Sequence, residues 1–517
     1  MKTFRNLSGP LFDGPRMRAL EARAMASGQV TGAALMERAG QGVVAAVLDR
    51  WPALDRPGAR ALLLAGPGNN GGDGFVVARL LAARGWQVDL RLLGARARLR
   101  GDAAAMAARW TGAVAPLADD VPLPGADLVV DALFGTGLAR PFEALPRLQA
   151  QLADWGAAEA GPRIVAVDVP SGLSADTGTV PGRAEGPRLA AHLTVSFHAA
   201  KLGHVLAAGP AACGALAIAD IGLAPFDDGT GPRFARLSPD LPKRGGHKFS
   251  HGHALVLAGP AGHGGAARMA ARAALRVGAG LVTLACPDPA LAENAARLDA
   301  VMLRGLGPDE GAGLAALLGD PRISALCLGP GLGVERAAAL LGPALASGRG
   351  LVIDADALTA LAAEGAAGLR RGLGPGMVLT PHGGEFARLC PDLGQALSEG
   401  RIGRAAAAAE AAARLGAVVL LKGPDTVIAA PDGRLAVAAA VYDAAVPWLA
   451  TAGAGDVLAG IIAGLVARGI APFAAAETAA LLHAAAARAF GPGLIAEDLP
   501  DRLPGVLAAL EPRRLDP

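Results

Sequence analysis

The chain has 517 residues, enough for two domains that each bury a substantial core. Its 48 basic and 46 acidic residues leave a net charge of +2, and no dense run of Lys or Arg suggests contact with a phosphate backbone, so we expect no nucleic-acid partner. The four cysteines lack zinc or dithiol spacing, the first residues lack a signal-peptide core, and no apolar run is long enough to span a membrane. We therefore expect a cytoplasmic protein with free thiols and no membrane partner.

Short apolar runs that end at glycine turns alternate with alanine-rich helical segments along the chain. This alternation predicts parallel sheets covered by helices. The predicted strands and their turns are residues 61–66, 127–135, 164–172, 254–260, 325–331, 350–357, 377–384 and 418–424. The alternation weakens over residues 223–246, which are rich in Pro, Gly and charge. We therefore predict two α/β domains, 1–222 and 247–517, joined by a linker at 223–246.

The first glycine-rich segment, GPGNNGGDGF at residues 66–75, follows a predicted strand and precedes a helical-looking segment. Three of its glycines match a dinucleotide fingerprint, yet the next predicted strand ends without the carboxylate that would hold a ribose. An ordinary Rossmann cofactor mode is therefore not expected. The segment instead offers backbone N–H groups to an anion, beside the oxygens of Asn69, Asn70 and Asp73. A purely structural cap is the alternative.

Two aspartates in the first half follow apolar strands directly. Asp131 ends the strand in VVDALFG, and Asp168 ends the strand in VAVDVPSG. The carboxyl ends of parallel strands form the edge at which an open α/β sheet binds its ligand. With residues 66–75, three polar turns converge on this edge, which predicts a ligand site rather than three independent caps.

In the second half, TAGAGDVLAG at residues 451–460 leads into a helix-like segment. Its glycines let the backbone bind a phosphoryl group, and Asp456 can take a proton from a nearby hydroxyl or carbon. An Asp favoured only by the helix dipole is the structural alternative. Lys422 in LKGPDTV suits a polyphosphate, and His382 and Glu385 in TPHGGEF mark another strand end. No Walker A motif occurs.

These motifs occur in a fixed order: GPGNNGGDG, VVDALFGTGL and VDVPSG, then GPGLG, DADAL, TPHGGE, KGPDT and AGAGDVLAG. In this order the chain resembles the bifunctional NAD(P)H-hydrate repair enzymes over nearly its whole length. The resemblance implies two three-layer αβα domains: an N-terminal, Rossmann-like NAD(P)HX epimerase and a C-terminal, ribokinase-like, ADP-dependent (S)-NAD(P)H-hydrate dehydratase. Two positions depart from the family pattern, Ala454 where threonine is common and Phe249 where glycine is usual.

For the epimerase, the resemblance implies that Asp168 is the acid/base residue and that potassium binds at Asn70, Asp131 and Ser171. The implied contacts of NADHX or NADPHX are Asn69, Asn70, Gly71, Gly72, Asp73, Gly135, Thr136, Gly137, Leu138, Ala139, Arg140, Pro141 and Asp168.

For the dehydratase, the resemblance implies that Asp456 activates the substrate hydroxyl and that Mg²⁺ bridges the phosphates of ADP. The implied hydrate contacts are Ala266, Gly331, His382 and Asp456. The implied ADP contacts are Lys422, Gly423, Pro424, Asp425, Thr426 and Gly455.

Two other functions are consistent with parts of the sequence. The second half could belong to a vitamin or sugar kinase that stops at the phosphate ester, and the first half to a non-catalytic nucleotide-binding module. Three features stay open: the oligomeric state, with a homo-oligomer one option, the preference between NADHX and NADPHX, and the choice of ADP or ATP.

Overall fold

The computed structural model describes residues 2–3, 8–120, 123–363, 365 and 372–510. The chain divides into two compact units. The first comprises Met1–Arg233 and Ala396–Gly403, and the second comprises Phe234–Gln395 and Arg404–Pro517. The division near Arg233 falls inside the segment 223–246, whereas the placement of Ala396–Gly403 was not foreseen. A separate linker at 223–246 stays a prediction.

The first unit is built on a sheet that has eight strands among the described residues. In spatial order they are Lys2–Thr3, Ala215–Ala219, Leu193–Phe197, Arg163–Val167, Leu128–Ala132, Arg60–Ala65, Gln87–Leu92 and Ala115–Pro116. All neighbours are parallel except the first pair, and Leu11–Phe12 pairs separately with Ala200–Lys201. The α-helices are Gly14–Ala26, Gly32–Arg50, Asn69–Ala83, Gly101–Ala108, Pro146–Ala157, Leu202–Val205 and Gly209–Cys213.

Helices cover both faces of this sheet. Side chains of a strand alternate between its two faces. In Arg60–Ala65, Leu63 belongs to a core with residues of the helices Gly32–Arg50 and Asn69–Ala83, whereas Leu62 and Leu64 belong to a second core on the other face. Burial on both faces explains why this strand is a continuous apolar run.

The second sheet has ten strands within the described ranges. In spatial order they are Arg233–Phe234, Leu435–Ala439, Asp425–Ala429, Val418–Leu421, Met377–Leu379, Gly350–Ile353, Ile323–Leu328, His253–Leu257, Leu281–Cys286 and Met302–Gly305. The strands from Val418–Leu421 to Met302–Gly305 are mutually parallel. The α-helices after Phe234 are Gly265–Arg276, Leu291–Ala295, Glu310–Leu318, Val334–Ala346, Ala355–Ala363, Gly383–Leu389, Pro391–Ser398, Arg404–Leu415, Ala454–Ala467, Pro472–Phe490 and Asp498–Leu510.

Small residues bring the helix Ala454–Ala467 close to the helix Gly265–Arg276. A Cβ atom at Gly460 would collide with the carbonyl oxygen of Ala270, and Gly464 approaches the same helix as closely. The alanine- and glycine-rich composition therefore serves helix packing, and the helix Ala454–Ala467 also contacts the strands Ile323–Leu328 and Gly350–Ile353. No helix in the described part of the chain is both long and apolar enough to cross a membrane.

Candidate functional sites

A cleft of about 420 Å³ opens at the carboxyl ends of the first unit's parallel strands. This volume lies within the usual range of small-molecule sites. The predicted site residues that line it are Asn69, Asn70, Asp73, Gly135, Thr136, Gly137, Leu138 and Asp168. Glu21 and Arg18 of the helix Gly14–Ala26 also line it, although the sequence analysis did not identify them. The other predicted residues of this site, which do not line the cleft, are Gly71, Gly72, Asp131, Ala139, Arg140, Pro141 and Ser171.

The glycine-rich segment 66–75 is mainly helical, which corrects the prediction that it is a turn before the helix. The helix Asn69–Ala83 begins at Asn69, with Gly68 as its N-cap, and its first-turn glycines are buried. A Cβ at Gly71 would collide with a backbone carbonyl, and one at Gly72 would lie 2.5 Å from a methionine sulfur. These glycines therefore permit close packing, while Asn69 and Asp73 reach the cleft.

Replacing Gly71 by Ala is expected to destabilise the first unit by about 1–3 kcal/mol, because the added Cβ overlaps the Gly66 carbonyl. Gly68→Ala is the matched control, since a Cβ there meets no atom within 4 Å. Thermal unfolding followed by tryptophan fluorescence would measure both, because four of the five tryptophans lie in the first unit. Equal midpoints for the two variants would contradict the packing role of Gly71.

Asp131 and Ser171 join two strand ends beneath the cleft. Asp131 is buried; its Oδ1 accepts from Ser171 Oγ–H at 2.6 Å, and its Oδ2 accepts from Ser171 N–H at 2.8 Å. Burial raises the pKa of Asp131 to about 6 despite these hydrogen bonds. The pair therefore fixes the turn that follows Asp168 in the chain.

Asp168 is held by contacts on both carboxylate oxygens. Its φ of 65° lies in the left-handed region, which costs a non-glycine residue roughly 1–3 kcal/mol and persists where surrounding contacts enforce it. Oδ1 accepts from Ser196 Oγ–H at 2.9 Å and lies 3.2 Å from Lys201 Nζ, and Oδ2 accepts from Thr136 N–H at 3.2 Å. His204 Nε2 lies 2.8 Å from the Asp168 carbonyl oxygen. The side chain is thus fixed at the cleft wall.

The pKa values of the carboxyl groups in the cleft are shifted in opposite directions. Burial alone would raise the pKa of Asp168, but Lys201 and then His204 outweigh it, so the pKa is lowered. Burial, followed by Asp168 and Glu21, raises the pKa of Asp73 well above its usual range. Burial and Asp168 also raise the pKa of Glu21. Asp168, whose pKa is lowered, therefore lies beside two carboxyl groups whose pKa values are raised.

The second candidate site centres on Lys422, which follows the strand Val418–Leu421. Its Nζ lies 2.7 Å from Asp354 Oδ1 and 3.6 Å from Glu385 Oε2. A Cβ at Gly455 would be 3.2 Å from the same Nζ, so Lys422 faces the start of the helix Ala454–Ala467. We call Lys422, Asp354, Glu385, Gly455 and the neighbouring Asp456 the Lys422 cluster.

The charges of the Lys422 cluster shift the pKa values of Asp456 and Lys422. Burial, followed by Asp354, raises the pKa of Asp456 to about 7, although Lys422 acts against this rise. Burial would lower the pKa of Lys422, but Asp354 and Glu385 outweigh it and raise the pKa. Lys422 therefore stays cationic, while Asp456 is poised to accept a proton near neutral pH.

The turn of KGPDT is shaped by its own polar side chains. Thr426 Oγ–H donates to the Gly423 carbonyl at 2.6 Å, and Asp425 Oδ1 forms an ion pair with Arg404 Nε at 3.1 Å. Arg404 also donates to the Lys422 carbonyl at 2.9 Å. Asp425 and Thr426 thus organise the turn that presents Lys422, and Arg404 is a supporting residue that the sequence analysis missed.

His382 combines exposure with a structural role. It is the N-cap of the helix Gly383–Leu389: its Nδ1 accepts from Gly384 N–H at 3.0 Å, and its own N–H donates to Glu385 Oε2 at 2.8 Å. The imidazole is 56% exposed, and its Nε2 lies 3.6 Å from Glu385 Oε1. Glu385 therefore links His382 to the Lys422 cluster.

Ala266 and Gly331 meet beside a second cavity, of about 400 Å³. A Cβ at Gly331 would lie 3.2 Å from Ala266 Cβ, and its φ of 61° favours glycine. Asp356 lines this cavity and is one of the carboxylates that raise the pKa of Asp456. The cavity and the Lys422 cluster are therefore neighbours.

The two departures from the family pattern lie in different surroundings. Ala454 is buried at the first position of the helix Ala454–Ala467, which still begins after a left-handed Gly453. Phe249 is 40% exposed, and the guanidinium of Arg322 lies 5.1 Å from its ring centroid. The helix N-terminus therefore forms with alanine in place of threonine.

Comparisons with known proteins agree with this arrangement. The family model described as YjeF-related protein N-terminus matches residues 32–203, and the one described as NAD(P)H-hydrate dehydratase matches residues 254–503. The bifunctional NAD(P)H-hydrate repair enzyme Nnr of Moorella thermoacetica is 38% identical over 97% of both chains. The Nnr enzyme of Coxiella burnetii is 37% identical over 92% of this chain and 94% of its own.

A solved structure also resembles the chain: the ADP/ATP-dependent NAD(P)H-hydrate dehydratase of Bacillus subtilis, co-crystallized with ATP and Mg²⁺. It is 30% identical, has a TM-score of 0.44, and covers 52% of this chain and 95% of its own. The predicted α/β fold class and the assignment as an enzyme are confirmed. By the family models and the full-length relatives, the chain belongs to the bifunctional NAD(P)H-hydrate repair enzymes.

Proposed function

We propose that the first unit interconverts the R and S forms of NADHX and NADPHX, and that the second dehydrates the S form at the expense of ADP, giving AMP and phosphate. The observation that carries this proposal is an aspartate placed near a lysine in each unit. Asp168 lies 3.2 Å from Lys201 in the first unit, and Asp456 titrates near neutrality beside Lys422 in the second.

The epimerase proposal uses the cleft of the first unit. The hydrate carries its hydroxyl on the ring carbon beside nitrogen, so the stereocentre can be lost through an iminium or a ring-opened form. Either route needs a proton acceptor and donor close to that carbon. Asp168 supplies both roles. The segments from Asn69 to Asp73 and from Gly135 to Pro141, which only in part line the cleft, bind the dinucleotide.

Potassium is part of the proposal for the first unit. Asn70, Asp131 and Ser171 offer an amide oxygen, a carboxylate and a hydroxyl, the oxygen ligands that hard cations prefer. Asp131 and Ser171 are already held together by two hydrogen bonds, which supports a preformed set of oxygens. A bound potassium ion would supply positive charge beside the dinucleotide.

The dehydratase proposal uses the Lys422 cluster. Hydroxide is a poor leaving group, and phosphorylation of the hydroxyl makes its elimination easy. Asp456 takes the hydroxyl proton, Lys422 and the N–H groups from Gly453 to Gly455 stabilise the phosphoryl charge, and residues 422–426 bind ADP. Ala266, Gly331 and His382 contact the hydrate. Magnesium, when bound to the nucleotide, would neutralise phosphate charge.

The test is recovery of NADH from a mixture of R and S NADHX with ADP and magnesium, followed by NADH absorbance. Complete recovery faster than spontaneous epimerisation is expected. Recovery that stalls near the S fraction would reduce the first unit to a binding module. No recovery with ADP or ATP would favour the kinase alternative. A cytoplasmic location and exclusively small-molecule partners also belong to this proposal.

A further inference from the structure

Lys201 is a buried lysine behind the cleft of the first unit. It is 1% exposed, and its ammonium nitrogen makes four close contacts. Nζ donates to Ser196 Oγ at 2.8 Å and to the carbonyl oxygens of Phe197 and Ala199 at 3.0 and 3.2 Å, and it lies 3.2 Å from Asp168 Oδ1. A buried ammonium with this set of partners is fixed in position.

The two carboxylate oxygens of Asp168 have different surroundings. Oδ1 accepts a hydrogen bond from the hydroxyl of Ser196 and lies close to Lys201 Nζ. Neither of these two residues lines the cleft. Oδ2 accepts from Thr136 N–H, and a Cβ at Gly135 would lie 3.1 Å from it; both of these residues line the cleft. The oxygen that faces the cleft is therefore Oδ2.

We propose that Lys201 is a positioning residue that engages Asp168 Oδ1 from behind and thereby directs Oδ2 to the cleft as the atom that exchanges a proton with the hydrate. The proposal rests on the proposed epimerase function. Lys201 itself does not contact the substrate.

Four titratable groups face Asp168. Glu21 and Asp73 are acidic, and each has a raised pKa whose causes include Asp168. Burial and the neighbouring Lys201 lower the pKa of His204 to about 4, so His204 is neutral at neutral pH. Lys201 thus supplies the positive charge, and without it burial and the two acids would favour the protonated form of Asp168.

The test compares Lys201→Met with Lys201→Arg in the full-length chain. R-to-S conversion of NADHX is followed by chromatography without ADP, across a range of pH. For Lys201→Met we expect a loss of about 10²-fold in kcat at neutral pH and a nearly unchanged KM. The fall in kcat on the acid side of the pH profile (the acid limb) should move to higher pH. The loss relative to wild type should therefore shrink as the pH rises. Lys201→Arg keeps the charge and should retain the wild-type acid limb.

Two controls separate positioning from misfolding. Dehydration of pure S-NADHX by the second unit of each variant should equal wild type, and tryptophan fluorescence should report a folded first unit. Should Lys201→Met fail to fold, Ser196→Ala, which keeps the lysine, is the second variant: it should lower kcat by less than tenfold and keep KM.

An unchanged rate in Lys201→Met, or a loss by the same factor at every pH, would overturn the proposal. So would a Ser196→Ala variant with wild-type kcat when Lys201→Met cannot be measured. The wild-type protein separates a failure of this proposal from a failure of the proposed epimerase function. If wild-type protein did not accelerate R-to-S conversion, the epimerase function itself would be refuted.

Discussion

Replacing Asp456 by Asn is expected to lower the dehydratase rate by about 10²- to 10⁴-fold, the usual contribution of a positioned acid or base, while R-to-S conversion in the first unit is unchanged. The reason is that the amide cannot accept the hydroxyl proton, although it preserves the size of the side chain. The measurement is NADH formation from pure S-NADHX with saturating ADP and magnesium.

The pH dependence gives this prediction a second test. Because Asp456 acts as a base, it must be ionised, and its pKa is about 7. The dehydratase rate should therefore reach a plateau above this pH and fall as the pH drops through it, approaching tenfold per pH unit. The residual activity of Asp456→Asn should lack this fall in rate at low pH (the acid limb).

Asp501→Asn is the matched control for Asp456→Asn. Asp501 is a half-exposed aspartate of the second unit that pairs with Arg272 at 2.9 Å, so its replacement should leave the rate and the limb unchanged. If Asp456→Asn kept both the wild-type rate and the limb, another group would have to be the base, and the role proposed for Asp456 would be wrong.

The strand positions could be predicted because buried parallel strands are continuous apolar runs. Each predicted strand overlaps an observed one: Leu128–Ala132 lies within residues 127–135, whereas Ile323–Leu328 begins two residues before the predicted range 325–331. Asp131 and Asp168 then follow from the rule that ligands bind at strand ends. For these two residues, the local sequence pattern and the fold architecture predict the same position, at the edge of the sheet where ligands bind.

The glycine-rich segment shows where local pattern misleads. Glycine disfavours helix, yet Asn69–Ala83 is helical from its first residue, because Gly71 and Gly72 allow contacts that side chains would block. Tertiary packing overrides the local preference here. The glycines of this segment therefore serve close packing.

The supporting residues of both sites could not be predicted because their role depends on long-range contacts. Lys201 stands alone in an apolar segment and meets Asp168 only in the fold, and Arg404 meets Asp425 in the same way. Glu21 reaches the cleft from a helix far from Asp73 in sequence. An isolated charge in an apolar segment, as at Lys201, is the one signal that could have been used.

Replacing Asp168 by Asn is expected to reduce R-to-S conversion to near its spontaneous rate, a loss of at least about 10²-fold, and to leave dehydration of S-NADHX intact. In the ring-opened route, Oδ2 takes the hydroxyl proton as a carbonyl forms, the C–N bond breaks with its electron pair moving to nitrogen, and the same proton is returned to that nitrogen. Closure from the other face reverses these steps. The amide cannot accept this proton, so the cycle fails at its first step.

The assay for Asp168→Asn is the mixed R and S substrate with ADP and magnesium. NADH should form rapidly up to the S fraction and then only as fast as the R form epimerises unaided. Asp89→Asn is the control, because Asp89 lies on the strand Gln87–Leu92 in the same unit and pairs with Arg91 at 2.6 Å, away from the cleft residues. Complete, rapid recovery with Asp168→Asn would remove Asp168 from the mechanism and, because Lys201 acts through it, would leave the buried ion pair with a structural role alone.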